Sequence, residues 1–386
     1  MALKPTQFSP EPDLFRQELV NIIDARHPLV KLGNYIDWQS CETRFGTLYA
    51  TGVGRPAHPV RLMVGLQLLK QTFNCSDEIA VNTWIENPYW QHFCGEQYFR
   101  HEFPIDPSLM TGFRKRIGPE GCEFIVGLTV GVGLITKTVS QESLAVVNVD
   151  TTVQDKAVAF PTDARLLNKA RLAVVRLAKK MGIDLRQSYE RLGQAAFIRS
   201  QRYAHAKQMK RARAQTKRLR TFLGRVIRDV ERKAGASGKM NERLKLLLQI
   251  AIRIQTQPRQ RAEGDPPKIY SVHAPEVECI AKGKANRQYE FGVKVGIVST
   301  SKESFVVGMK SLPGNPFDGH TLKAAIEQVI SISGVTPKEA YVDRGYKGHG
   351  IEKGALTASG ELHVRSEETG MWLGAAIAVV ARLLFT

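Results

Sequence analysis

Apolar positions change their spacing along this 386-residue chain, and the change divides it into regions. The run Pro59 to Leu69 has helical periodicity. A second helix is predicted after Ser76, with Asp77 and Glu78 in its first turn, where carboxylates suit the free amides and the dipole. Ile79, Val81, Trp84 and Ile85 would form its apolar face. A third is expected to open with Asp106 as cap and Pro107 at the first helical position, to continue through Leu109, Met110 and Phe113, and to close on Arg114, Lys115 and Arg116. Residues 1–140 therefore read as an all-α domain.

Beyond it the pattern turns to short apolar runs. Leu144 to Asp150 and Ala340 to Asp343 each read as a buried strand ending on an aspartate, which the chain would deliver to the carboxyl edge of a sheet. Between them Leu166 to Lys180, Ser188 to Arg232 and Asn241 to Ile254 are rich in Leu, Ala, Arg and Lys and predict long helices, with a break at Gly235 to Gly238. Tyr289 to Val298 and Ser304 to Lys310 return to strand, Leu312 to Pro316 is a turn, and Thr321 to Ser331 is an amphipathic helix leading to the last strand. The fold class is α/β: a mixed sheet over residues 141–386, interrupted after its first strand by a helical insertion at about 164–265, behind the all-α domain. There is no internal repeat.

Charge sharpens this picture. The chain has 55 Lys and Arg against 37 Asp and Glu, a net +18, and Arg165 to Lys233 alone holds 21 basic and 4 acidic residues. A concentrated positive segment attracts polyanions because each phosphate it neutralises releases counterions. Arg202, Lys207, Lys210, Arg211, Arg213, Lys217, Arg218 and Arg220 are the DNA-contact candidates in the insertion, and Arg114, Lys115 and Arg116 those in the helical domain. The bland alternatives are a solvated helical face and, for the second group, a cluster that answers the helix dipole. Five cysteines without CxxC spacing signal neither a disulfide framework nor a zinc site. The amino terminus lacks a signal-peptide run, and the apolar stretch from Met371 is too short to span a bilayer, so the expectation is a cytoplasmic, nucleoid-associated protein with no membrane partner.

If the first and last strands are parallel neighbours, Asp150 and Asp343 meet. Two close carboxylates repel unless a cation lies between them, and Mg2+ (or Mn2+) is the hard cation that binds through one or two carboxylates plus substrate phosphate. Such a site supports in-line phosphoryl displacement. Singly, each aspartate reads as a turn residue after a strand. His349 as a phosphate contact, Tyr346 as a stacking ring and Lys282-Gly283-Lys284 as a phosphate turn each have a blander reading as loop or core. Trp38, Trp84, Trp90 and Trp372 read as packing anchors.

Asp150-Thr151-Thr152 after an apolar strand, the strand Phe291-Gly292-Val293-Lys294 and Tyr341-Val342-Asp343-Arg344-Gly345-Tyr346 resemble the DDE transposases of bacterial insertion sequences, in the insertion sequence five branch. The likeness runs from about residue 15 to about residue 350 and takes in Gly54-Arg55-Pro56 and Phe160 to Leu167. It implies a ribonuclease H-like sheet, Mg2+-dependent hydrolysis at transposon ends, attack of the freed 3′-hydroxyl on target DNA, and a homodimer on paired ends. DNA, as terminal inverted repeats and target, is the implied partner, and Asp150 and Asp343 map onto the first two catalytic and metal-binding acids. The third acid is a glutamate on a later helix, and its pattern is missing here. Glu352, Glu361, Glu367 and Glu368 are present, but the atypical tail at about 351–386 reads as truncated or frame-shifted. Losing that ligand would suppress cleavage and leave DNA binding, so the rival reading is a non-catalytic DNA-binding protein, a decayed transposase or a transposition repressor. An RNA-binding protein indifferent to Asp150 is a third.

Overall fold

The computed structural model describes residues 16–49, 56–257, 266–281, 288–346, 356–357, 360–361 and 363–367. The chain forms two compact units, one comprising residues 1–152, 296–310 and 317–386, the other 153–295 and 311–316.

The first unit begins with helices whose starts are written in capping chemistry. Helix α1 (Pro28–Tyr35) has Pro28 at its first position and the His27 ring accepting from Leu29 N. Asp37 accepts from Ser40 N at the head of α2 (Trp38–Gly46). Helix α3 (Val60–Thr72) is buried on nearly every side. Ser76 caps α4 (Asp77–Glu86), as the sequence predicts, and Asn87 caps α5 (Pro88–Phe93). Val81 and Trp84 of α4 are buried, but Ile79 is 54% exposed, because the inward face falls on Ala80 instead. Trp84, Trp90, Phe45, Phe93, Leu66 and Met110 form the core of this helical part.

Helix α6 (Ser108–Ile135) enters through Asp106, whose side chain accepts from Ser108 N at 2.8 Å. It is long and apolar enough to cross a membrane by length and composition. It is kinked at Gly118, whose φ of +64° only glycine adopts readily, with Pro119 following. Arg114, Lys115 and Arg116 lie just before that kink, so they close a helical segment rather than the element. Met110, Phe113 and Ile117 before the kink belong to the helical core, and Val130 beyond it belongs to the core of the sheet.

In the same unit the first part of β1 (Val146–Asp155) runs parallel to β5 (Glu339–Asp343), in register from Val146 opposite Glu339 to Val149 opposite Val342. The carboxyl end of β3 (Tyr289–Thr300) follows on the other side of β1, and β4 (Val306–Leu312) pairs with β3. Alternation places Val147, Val149, Ala340 and Val342 in the core, against Leu322 and Val329 of α11 (Leu322–Ser333), and Asn148, Asp150, Tyr341 and Asp343 on the opposite face.

The second unit holds the insertion and a strand pair. Helices α7 (Asp163–Lys180), α8 (Glu190–His205), α9 (Met209–Ala236) and α10 (Glu242–Thr256) close around Leu167, Val174, Leu219, Leu223, Val230 and Leu248. The expected helix from Ser188 to Arg232 is in fact two. The chain reverses at Ala206 to Gln208 with Lys207 at φ +58°, and neither glycine nor proline marks the turn. Small residues let the two arms approach: the Ser200 hydroxyl lies 3.4 Å from the Ala212 carbonyl. Strand β2 (Glu278–Ala281), which periodicity did not predict, pairs antiparallel with the beginning of β3.

Within the described part of the tail, β6 (Leu356–Thr357) and β7 (Gly360–Glu361) pair with each other, and β8 (His363–Glu367) runs parallel to β5 with the Cα of Glu367 opposite that of Asp343. The remaining tail positions, Trp372, His349 and Lys282-Gly283-Lys284 lie outside the described residues.

Candidate active site

Asp343 is the last residue of β5, as expected, whereas Asp150 is not the last of its strand. Strand β1 continues to Asp155 because its second half is held by the chain before β3's midpoint: Lys156 N donates to the Phe291 carbonyl at 3.0 Å. The two strands are parallel neighbours, the condition under which the sequence brings the aspartates together. Each aspartate directly follows one of two valines, Val149 and Val342, that are opposed in register on adjacent parallel strands. Asp150 Oδ1 accepts from Thr151 N and Asp343 Oδ1 from Gly345 N, both at 2.7 Å, so each carboxylate is oriented by backbone just past it.

A third carboxylate arrives from a position that the sequence pattern leaves unassigned. Asp318 opens the 3-10 turn Asp318–Thr321 in front of α11, between the predicted turn and the predicted helix. The Thr151 hydroxyl donates to Asp318 Oδ1 at 2.9 Å. Gly345 lies between two acids: a Cβ built there would be 2.8 Å from Asp343 Oδ1 and 3.5 Å from Asp318 Oδ2. An acid followed by glycine just ahead of a helix was the available signal, but no local pattern places it beside Asp150.

Tyr346, offered by the sequence as a stacking ring, is instead 1% exposed. Burial, with the charges of Asp318, Asp150 and Asp343, holds its phenol well above the usual range, so it stays protonated. Its hydroxyl lies close to that of Thr321 but forms no well-aligned hydrogen bond with it.

Among the described residues no three His, Cys, Asp or Glu side chains close into a ready-made metal cage. Mg2+ does not require one, since it keeps several waters and uses one or two carboxylates plus phosphate. Hard carboxylate oxygens and an unused buried phenol donor fit such an ion and its water shell.

The basic candidates divide. Arg114 departs from the expectation of a free phosphate contact: it binds Asp77 through bonds of 2.6 and 2.9 Å and also donates to Gln67. Lys115 and Arg116 are exposed, the latter 4.7 Å from the centre of the Tyr49 ring. In the insertion Arg202, Lys207, Lys210, Arg211, Arg213, Lys217, Arg218 and Arg220 are all exposed, with Lys207 in the α8–α9 turn and Arg211 bonded to Gln208. Trp84 and Trp90 are buried packing anchors, and Trp38 donates to the Gly33 carbonyl while its ring meets Phe93 edge-on.

A family model described as a transposase domain (DUF772) matches residues 17–116. An uncharacterized protein, ORF8 in the nfe locus of Rhizobium meliloti, is 55% identical over 196 residues, which is 51% of this chain and 94% of that protein. No solved structure matches. With the domain match across its amino-terminal helices and a relative covered over nearly its whole length, the chain belongs to a transposase-related family.

Proposed function

We propose that this chain is a DDE-type transposase of the insertion sequence five branch, with a ribonuclease H-like sheet that carries Asp150 and Asp343 as metal ligands. The observation that supports this most directly is the parallel register of β1 and β5, which brings two aspartates 193 positions apart into adjacent places on one sheet face. A bound divalent ion would supply positive charge to the attacking and leaving oxygens of a phosphodiester. Asp150 and Asp343 would hold it, each fixed by a backbone amide, and the protonated Tyr346, which feels the charge of both, would orient oxygen atoms of its water shell. The exposed basic residues of α8 and α9 would take the DNA backbone.

The test is cleavage of a plasmid carrying the DNA that flanks the gene, in Mg2+ or Mn2+, by the full chain and by Asp150→Asn and Asp343→Asn. Cleavage by the unaltered chain that both substitutions abolish is the expected result. Cleavage untouched by them would refute the assignment. That the tail does not show the sequence pattern of the later glutamate supports a second reading, a DNA-binding relative without nuclease activity, which predicts salt-sensitive binding and no cleavage by any of the three proteins.

A further inference from the structure

We infer that Asp318 is the third carboxylate of the metal site, joining Asp150 and Asp343 where the expected later glutamate is missing. The inference rests on the metal-dependent reading above and adds a ligand that comes before the second aspartate in sequence, not after it. Its geometry is specific. Oδ1 of Asp318 is held by the hydroxyl of Thr151, the residue next to Asp150, at 2.9 Å. Oδ2 lies on the same small gap at Gly345 that Asp343 Oδ1 lines, at 3.5 and 2.8 Å from the position of a Cβ. The absence of a side chain at 345 is what leaves that gap open.

An independent feature points to a ligand there. The Tyr346 hydroxyl is buried, without a well-aligned hydrogen bond even to the nearby Thr321, and under the influence of all three carboxylates. A buried donor left unused beside partly buried acceptors is costly, and an ion with its water shell resolves it: water accepts from the phenol while the ion faces the carboxylates. The three acids do not enclose the ion alone, and phosphate and water complete its octahedral shell.

The test measures binding of Mn2+ by electron paramagnetic resonance on the full chain without DNA, so it does not depend on cleavage. Asparagine at 318 keeps an oxygen to accept from Thr151, so Asp318→Asn removes charge and leaves the tie to β1. The expected result is that Asp318→Asn, like Asp150→Asn and Asp343→Asn, weakens Mn2+ binding by at least about tenfold, the scale of perturbed metal sites, while Glu367→Gln does not. Loss in Asp150→Asn and Asp343→Asn with affinity retained in Asp318→Asn would overturn this inference alone. If Glu367→Gln then lost binding, the third ligand would be the residue paired with Asp343 on β8. Mn2+ binding unchanged in every variant would overturn both this inference and the metal-dependent reading beneath it.

Discussion

Arg114 grips Asp77 with two parallel hydrogen bonds of 2.6 and 2.9 Å, joining the first turn of α4 to the basic end of the segment before the α6 kink. Lys70 adds a third hydrogen bond at 2.7 Å. Arg114, then Lys70, holds the Asp77 carboxyl down to about 2 against the opposing effect of burial. The folded value is thus below that of the unfolded chain, about 3.9. The stabilisation is present above about pH 4 and is lost as pH falls toward 2. Urea unfolding at a series of pH values should show this decline in the unaltered protein and not in Asp77→Asn. Arg114→Ala should cost about 1–3 kcal/mol, the penalty of stranding a half-buried carboxylate.

Gly345→Ala is expected to spare the fold and damage the site. The new Cβ would stand 2.8 Å from Asp343 Oδ1, closer than two such atoms rest, and the carboxylate is the part free to give way. Thermal melting should move little, while Mn2+ binding and plasmid cleavage both fall.

Tyr346→Phe removes a buried hydroxyl that forms no well-aligned hydrogen bond with the protein. Its stability without divalent ions should equal or exceed that of the unaltered chain, by up to about 1 kcal/mol. With Mn2+ present, the unaltered chain should gain more in melting temperature than the variant. Scanning calorimetry with and without the ion reads both.

Lys210, Arg213, Lys217 and Arg220 lie in two pairs seven residues apart on α9, a repeat of about 10.5 Å along the helix. Changing all four to Gln should weaken binding to every DNA sequence alike. The slope of log affinity against log salt should become shallower by about 0.9 for each phosphate that the variant leaves unneutralised. Arg225 and Arg232, bonded to Tyr189 and Asp229, serve as controls whose removal should cost stability more than DNA affinity.

Much of this architecture was readable in the order of residues. Ser76 and Asp106 mark their helix starts through local side-chain chemistry, and the apolar runs before Asp150 and Asp343 announce their strands because alternate residues, Val147, Val149, Ala340 and Val342, must be buried. The α8–α9 reversal was not readable, since a lysine in left-handed conformation leaves no compositional mark. The length of β1 was missed for a different reason: Asp150 looks like a strand end until the pairing of its continuation with the start of β3 is known. Asp318 was invisible as a site residue because what makes it one, a threonine hydroxyl 167 positions away, is purely tertiary.

Helix α6 has a consequence for anyone preparing a shortened protein. A cut near residue 140, where composition changes, would discard Val130 and Val139, both part of the packing beneath β1 and β5. It would also remove Gly133, whose bare Cα lets the Phe305 ring settle against the helix. A fragment starting at Gln141 would thus carry all three carboxylates on a scaffold with one wall missing, and its inactivity would say nothing about them.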